Sequence, residues 1–85
     1  MEALDGNAIA GPLMEYFGSE MTTASGACRH CATVSEIAEL AVYTPGLGAV
    51  ARCRVCGNVV MVLVTVREEL RVDLTGFALT DPAGV

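Results

Sequence analysis

The sequence predicts a small α+β domain folded around a bound metal ion, and three features of its 85 residues support this prediction. Four cysteines form two Cys-x-x-Cys pairs, which is the spacing of a tetrahedral metal site. The first 18 residues carry apolar side chains at helical spacing. Four later segments have the composition of strands, namely residues 37–43, 49–52, 59–66 and 70–75. We therefore expect an N-terminal helix beside a three- to four-stranded antiparallel sheet.

The N-terminal segment predicts a helix over residues 5–18. Its apolar residues recur every three or four positions and so share one side of a helix: Leu4, Ala8, Ile9, Leu13, Tyr16 and Phe17. Asp5 suits the N-cap, and Gly18 suits the C-terminal stop. Pro12 conflicts with an unbroken helix because it removes one hydrogen bond and clashes with the preceding turn. Either the helix kinks at Pro12, or a short turn ends at Gly11 and Pro12 opens a second one.

The two cysteine pairs predict the metal site. Its four ligands are Cys28, Cys31, Cys53 and Cys56. Each Cys-x-x-Cys lets one tight turn aim two thiolates at the same point, and four soft thiolates are a ligand set that Zn²⁺ prefers, so we expect one structural zinc ion. Gly57, after the second pair, can adopt the positive φ that such a turn uses. The first pair is followed by Ala32, for which a positive φ is strained.

Disulfides and iron are the alternatives to zinc. An even number of cysteines also fits a secreted disulfide scaffold, but residues 1–5 carry acids where a signal peptide needs basic residues. The longest apolar run, residues 59–64, is shorter than the roughly 18 residues that a membrane span needs. We therefore expect a cytoplasmic protein with no membrane association. A rubredoxin-like iron electron carrier is less expected, because none of the four aromatic residues lies directly beside a cysteine pair.

The segment between the cysteine pairs predicts a β-hairpin. Residues 37–43 form its first strand, residues 44–48 supply a turn with proline and glycine, and residues 49–52 form its second strand. We expect this hairpin to carry both cysteine pairs at its base.

Two further strands are predicted after the second pair. Residues 59–66 are rich in β-branched side chains and apolar on both faces, which indicates the central strand of the sheet. A turn over residues 67–69 leads to residues 70–75, which alternate apolar and polar side chains. This alternation is typical of an outer strand with one face in water. Its inward side chains are Leu70, Val72 and Leu74, and its outward ones are Arg71, Asp73 and Thr75.

The predicted elements form a single compact domain with three parts. Residues 1–27 are the N-terminal helix and a linker, in which residues 20–27 lead into the metal site. Residues 28–80 are the zinc-ribbon domain, and residues 81–85 are a C-terminal tail. We expect the helix to cover one face of the sheet.

Several segments of the chain match a known pattern. They are residues 3–13, the Phe17-Gly18 stop, the two cysteine pairs, and residues 42–43 and 72–76. In these segments the chain resembles an uncharacterised family of short bacterial zinc-ribbon proteins, common in GC-rich genomes, over nearly its whole length. Ala32 stands where glycine is expected, and Val55 where proline or a small polar residue is more usual. The resemblance implies the fold and the metal but no activity.

Charge bears on the partners of the protein. The formal net charge is −5, and arginine is its only basic residue, so nucleic acid is a disfavoured partner. Arg29, Arg52 and Arg54 nevertheless lie in or beside the cysteine pairs, where they either form a local binding patch or offset the negative charge of the zinc–thiolate site. His30 lies between two ligands, where its ring does not easily reach the same metal. We expect it at the surface, with contact to a ligand as the alternative.

The function expected from these features is binding and not catalysis. Four cysteines close the coordination shell that a catalytic zinc ion keeps open, so we expect no enzyme activity. The hydrophobic fraction is 53%, and a domain of this size has little interior for both faces of residues 59–66. The sequence therefore predicts a protein-interaction module, either a homodimer or a small subunit of a larger assembly, that associates through an apolar sheet face. A nucleic-acid-associated regulator that uses the arginines is the alternative.

Overall fold

The computed structural model describes residues 3–44, 46 and 48–79 and has a small α+β fold with two antiparallel sheets. A 3₁₀ turn, Gly6–Ile9, leads into helix α1, Ala10–Phe17. The strands are β1 (Ser25–Cys28), β2 (Val34–Glu36), β3 (Ala41–Tyr43), β4 (Gly48–Arg52), β5 (Val59–Val66), β6 (Glu69–Asp73) and β7 (Phe77–Leu79). One sheet has the order β3-β4-β5-β6, and the other has the order β2-β1-β7. The predicted fold class is confirmed. Pro45 and Leu47 of the predicted turn, and the predicted tail 81–85, lie outside the described residues.

Both ends of the N-terminal helical segment have the predicted caps. The Asp5 side chain accepts a hydrogen bond from the Asn7 N–H at 3.0 Å. At the other end Gly18 has φ 77°, and its N–H donates to the Met14 carbonyl at 2.7 Å. In the described part of the chain, no helix has both the length and the apolar character needed to cross a bilayer.

Pro12 is accommodated in neither of the two predicted ways. The 3₁₀ turn gives way to α1 between Ile9 and Ala10, which makes Pro12 the third residue of α1. The first four N–H groups of a helix have no intrahelical partner, so a proline in this first turn removes no hydrogen bond. A change of helix type before Pro12 therefore replaces the expected kink or break at Gly11.

The hydrophobic core lies between this helical segment and the inner face of the four-stranded sheet. Ile9 and Leu13 are 2% and 0% exposed, and α1 lies against β6 while the 3₁₀ turn lies against β3. The side chains that share this cluster include Ile37, Leu40, Val42, Ala49, Ala51, Met61 and Leu63. The prediction that the helix covers one face of the sheet is confirmed.

The segment between the cysteine pairs differs from the predicted hairpin. Only Ala41–Tyr43 of the predicted strand is extended, because Ile37–Glu39 forms a 3₁₀ turn. The Glu36 N–H donates to the Glu39 side chain at 2.7 Å, and this capping interaction favours the turn. The Ile37 side chain is fully buried. The apolar residue Ile37, which contributed to the strand prediction, is therefore apolar because it is a buried residue of a turn.

The predicted linker, residues 20–27, ends in a strand instead. Ser25–Cys28 is the central strand of the three-stranded sheet, with β2 on one side and β7 on the other. Gly26 pairs with Leu79, and a β-carbon at Gly26 would overlap the ring of Phe77. Glycine is therefore favoured at position 26, where the Phe77 ring, which is 2% exposed, packs against β1.

The predicted order of the last two strands of the four-stranded sheet is confirmed. Strand β5 lies between β4 and β6, and a two-residue turn joins β5 to β6. Both turn residues, Arg67 and Glu68, have positive φ, at 51° and 68°. In β6 the inward Leu70 and Val72 are half-buried and the outward Arg71 and Asp73 are exposed. The alternation predicted for this strand is therefore found.

Strand β5 buries its inner face, whereas its other face is buried only at Val60, which is 1% exposed, and becomes exposed toward Val66. Met61 and Leu63 are 1% and 3% exposed, whereas Val64 and Val66 are 40% and 42% exposed. The register of β3, β4 and β5 places Val62 beside Val50, and Val50 beside Tyr43, on the face away from the core. We call this set the outer face: Tyr43, Val50, Val62, Val64 and Val66. None of its side chains is buried.

Replacement of Leu13 by alanine tests the packing of α1 on the sheet. The side chain is fully buried in the core, so Leu13→Ala should lower the free energy of unfolding by about 2–5 kcal/mol. Denaturant unfolding of the metal-loaded protein measures this change. Glu15→Ala, at an exposed position of the same helix, is the control and should have little effect. Equal effects of the two substitutions would contradict this packing.

Candidate metal centre

Each cysteine pair occupies the turn of its own hairpin. Residues 28–33, the first knuckle, join β1 to β2 in the three-stranded sheet, and residues 53–58, the second knuckle, join β4 to β5 in the four-stranded sheet. The prediction that one hairpin carries both pairs at its base is wrong. Each sheet instead supplies two of the four thiols, so a bound metal ion would join the two sheets.

The two knuckles have the same backbone conformation. In the first, the Cys28 N–H donates to the Thr33 carbonyl at 2.9 Å, and the Ala32 N–H donates to the Cys28 carbonyl at 2.8 Å. In the second, the matching bonds join Cys53 to Asn58 at 3.0 Å and Gly57 to Cys53 at 2.9 Å. Ala32 has φ 66° and Gly57 has φ 77°. The positive φ predicted at Gly57 is found, and Ala32 takes the same conformation despite its β-carbon.

The four sulfur atoms form a compact cluster of the size that one metal ion requires. All four Sγ atoms lie within 4.8 Å of one another. The Cys28 and Cys56 sulfurs are 3.6 Å apart, and the Cys31 and Cys53 sulfurs are 3.7 Å apart. Four sulfurs at about 2.3 Å from a tetrahedral Zn²⁺ are separated by about 3.8 Å. The thiols predicted as ligands are thus brought together at spacings that fit a tetrahedral ion.

Hydrogen bonds from the knuckles reach each of the four sulfurs. The backbone N–H groups of His30 and Val55 lie 3.4 Å from the sulfurs of Cys28 and Cys53 respectively. The Asn58 side-chain amide donates to the Cys56 sulfur at 3.3 Å, and the Cys31 sulfur and the Thr33 hydroxyl are hydrogen-bonded at 3.2 Å. Donors around a thiolate orient it and spread its negative charge, which is how protein groups support metal ligands.

The same contacts shift the pKa values of the thiols. Hydrogen bonds from the Thr33 side chain and backbone lower the pKa of Cys31 to about 6. The backbone and side chain of Asn58 lower the pKa of Cys56, whereas burial raises the pKa of Cys28. Metal ligation needs thiolates, so the lowered pKa values of Cys31 and Cys56 favour binding of the ion.

Thr33 and Asn58 are the residues of this site that the sequence analysis missed. Each follows the second cysteine of its pair by two positions, and each hydrogen-bonds that cysteine through its side chain. The sequence signal that could have identified them is a polar residue two positions after each Cys-x-x-Cys motif. Threonine and asparagine share no obvious chemistry in a sequence, although both offer a hydrogen-bonding group on a short side chain.

Two of the three arginines near the cysteines are engaged within the chain. The Arg52 guanidinium donates to the Gly57 carbonyl at 2.8 Å. The Arg54 guanidinium donates to the Glu39 carbonyl at 2.8 Å and to the Leu4 carbonyl at 3.4 Å. These bonds tie the second knuckle to the 3₁₀ turn after β2 and to the N-terminal segment.

Arg29 and His30 lie at the surface of the first knuckle. The Arg29 N–H donates to the Gly76 carbonyl at 2.9 Å, which links the first knuckle to the turn before β7, while its side chain is exposed. His30 is exposed as expected, and its contact to the Cys28 sulfur comes from its backbone. Among the described residues, no hydrogen bond involves the His30 imidazole.

A family model described as "Family of unknown function (DUF6510)" matches residues 1–83. No curated protein and no solved structure matches the chain. The resemblance to an uncharacterised family is therefore confirmed. Its zinc-ribbon character and its bacterial origin are not tested by the match and stay predictions.

Exchange of the residues that close the two knuckles tests their shared conformation. Ala32→Gly should stabilise the metal-loaded protein, because left-handed backbone costs a residue with a β-carbon about 1 kcal/mol or more. Gly57→Ala should destabilise it by a similar amount, and no atom stands within 4 Å of the added carbon to cause a clash. Thermal unfolding measures both changes. Changes of the same sign would contradict the shared conformation.

Proposed function

This chain belongs to DUF6510, a family of unknown function, and we propose that it is a zinc ribbon in which one structural Zn²⁺ holds a small protein-interaction module together. The observation that carries the proposal is the cluster of four thiols, drawn in pairs from two different sheets. Zinc bound by four cysteines is tetrahedral and fully coordinated. The ion would be bound by Cys28, Cys31, Cys53 and Cys56 and would supply folding energy and no reaction.

Zinc is a better candidate than iron for two reasons. Rubredoxin-like iron sites are expected to have several aromatic side chains packed around the metal. Here Phe77 pairs with Cys28 across β7 and β1, but Tyr16 and Phe17 lie in α1. Four thiolates are also a common set for structural zinc. A closed shell leaves no position for substrate, which supports a role other than catalysis. We also propose a reducing cytoplasmic location, where the thiols stay available to the metal.

The metal matters for stability because the chain is short. A domain of 85 residues buries a limited core, and such cores rarely supply more than about 3–5 kcal/mol. Structural zinc binding is worth about 10–16 kcal/mol in small metal-dependent peptides. The two sheets meet at the thiol cluster and also share one core cluster, which includes Phe77 of one sheet and Val60 and Met61 of the other, so loss of the ion would remove one of the links between them.

The outer face supports the interaction role. Its side chains form an apolar stripe across the register of β3, β4 and β5, and none of them is buried. Exposed apolar surface that is contiguous, and not scattered, is typical of a protein-binding site. We propose that another protein chain packs on this stripe.

The nucleic-acid alternative has weaker support. Arg52 and Arg54 donate to backbone carbonyls of the chain, which favours a structural role over a phosphate-binding one. Arg29 alone does not form a patch, and the formal net charge of −5 opposes phosphate binding. Arg52 and Arg54 are therefore proposed to support the second knuckle, and all three arginines are proposed to offset the negative charge of the metal site.

Metal analysis tests the zinc proposal. Protein isolated under reducing conditions should contain one zinc ion per chain, and a strong chelator should abolish cooperative thermal unfolding. Cys53→Ser should lose the metal, because it removes one of two buried ligands. Ser35→Ala, in β2, removes no sulfur and is the control, so it should keep the metal. Iron, or a chelated protein that unfolds cooperatively at an unchanged temperature, would contradict the proposal.

A charge on the outer face tests the interaction proposal. Val62→Lys places an ammonium group in the middle of the apolar stripe and should abolish co-purification of any chain bound there. Val34→Lys, at a valine that is 62% exposed in the other sheet, is the matched control and should keep the bound chain. Zinc content and circular dichroism confirm folding of both variants. Identical associations of wild type and both variants would count against this surface.

A further inference from the structure

We propose that two copies of this chain join edge to edge along β6, so that their four-stranded sheets form one continuous sheet. The inference rests on the proposed function in one respect, which is that the chain associates with another protein. It adds a second interaction surface, the edge of β6, where the partner is a second copy related to the first by a two-fold axis that passes beside Val72.

Strand β6 is the longest open edge of the fold. Of the four edge strands, β2, β3 and β7 have three residues each, whereas β6 has five. Strand β3 is further covered by a bridge between Val42 and Leu4. Among the described residues, no strand pairs with the outer edge of β6. Very short length, proline and inward-pointing charges, which usually prevent edge pairing, are absent from β6. Its charged side chains are Glu69, Arg71 and Asp73, and they would oppose pairing unless a partner strand places opposite charges beside them.

The free backbone groups of β6 point in the direction that a second strand would need. The two-residue turn makes Val66 and Glu69 the closing, hydrogen-bonded pair of the β5–β6 hairpin. Hydrogen-bonded positions alternate along an antiparallel strand, so Leu70 and Val72 direct their N–H and C=O groups away from β5. A second strand that pairs antiparallel with β6 would meet these groups. Val72 of one copy would then exchange two hydrogen bonds with Val72 of the other.

The charges of β6 are complementary in this register. Pairing centred on Val72 places Arg71 of one copy opposite Asp73 of the other, and the two-fold axis repeats the pair. These are non-hydrogen-bonded positions, where cross-strand side chains approach most closely. Leu70 would lie opposite Leu74, the residue after β6, whose carbonyl already accepts a hydrogen bond from the Phe77 N–H at 3.1 Å, so this apolar pair would form by side-chain contact. The segment 70–74 is thus complementary to a second copy of itself.

The other symmetric registers are less favourable. Pairing centred on Arg71 would place two arginines opposite each other and Glu69 opposite Asp73, so that like charges meet at every outward position. Pairing centred on Leu70 would bring the turn residues Arg67 and Glu68, with their positive φ, into the ladder. Pairing centred on Asp73 would place two carboxylates opposite each other. Of these registers, the one centred on Val72 combines strand backbone at its centre with opposite charges.

Most of the exposed apolar side chains lie close to β6. The described chain has eight large apolar residues that are exposed, and five of them lie on the two elements in contact with β6. They are Met14, Tyr16 and Phe17 on α1, and Val64 and Val66 on β5. A second copy placed along β6 would approach both elements. Burial of apolar area would then drive association, while the charge pairs would fix the register.

Charge reversal at two positions tests the proposal with the full-length, zinc-loaded protein. Arg71→Glu places a carboxylate opposite Asp73 of the other copy, and Asp73→Lys places an ammonium group opposite Arg71. Each variant alone converts two attractive pairs into two repulsive ones, which should weaken self-association about 30-fold. A mixture of the two variants restores opposite charges at both pairs. Analytical ultracentrifugation should therefore find the heterodimer in the mixture and weaker self-association for each variant alone.

Arg67→Glu is the matched control because it makes the same change of charge in the turn, outside the proposed ladder. It should leave the dimer intact, and circular dichroism and zinc content show that each variant is folded. A wild-type monomer at every concentration would overturn the proposal. So would equal weakening by Arg71→Glu and Arg67→Glu, or a mixture that does not recover association.

These outcomes separate the edge dimer from the interaction role as a whole. A monomer that keeps a different protein bound at the outer face, and loses it on Val62→Lys, would end the β6 proposal and leave the proposed function standing. A protein without zinc would end the proposed function whatever its oligomeric state.

Discussion

The cluster of four cysteine thiols is the constraint on which the rest of the structure depends. Each sheet contributes one knuckle, so the thiols converge only when the two hairpins, β1–β2 and β4–β5, are formed and correctly placed. The helical segment covers the inner face of the four-stranded sheet and contributes no ligand to the metal site. A metal ion at the cluster would therefore reinforce a junction that the core also forms, because Cys28 and Phe77 of one sheet belong to the same buried cluster as Val60 and Met61 of the other.

Hydrogen bonds in and around the two knuckles support metal binding at the thiol cluster. Backbone N–H groups, Thr33 and Asn58 surround the sulfurs with hydrogen-bonding groups, and the Arg52 and Arg54 guanidinium groups tie the second knuckle to its surroundings. The strained backbone at Ala32 is tolerated because the hairpin on either side fixes it. The acidic chain thus places two of its five arginines where they stabilise structure near the thiolates, which limits their use for binding an external polyanion.

The sequence predicted the features that depend on local pattern. The cysteine spacing identified the four thiols, and the β-branched run identified β5 as an interior strand. The three-stranded sheet was missed because Ser25, Gly26 and Ala27 have low strand propensity, and they pair with β7 about fifty positions away. The 3₁₀ turn Ile37–Glu39 was missed because a buried apolar turn and a buried strand have similar composition. Tertiary contacts, and not local sequence, therefore determine both the three-stranded sheet and the 3₁₀ turn.

Amide hydrogen exchange of the zinc-loaded and zinc-stripped protein tests most directly whether the thiol cluster holds the two sheets together. We predict that removal of zinc abolishes slow exchange in β1 and in β5 together, because the cooperative structure includes both sheets. Retention of full protection in β4 and β5 after the metal is removed, with loss confined to residues 28–33 and 53–58, would contradict this prediction.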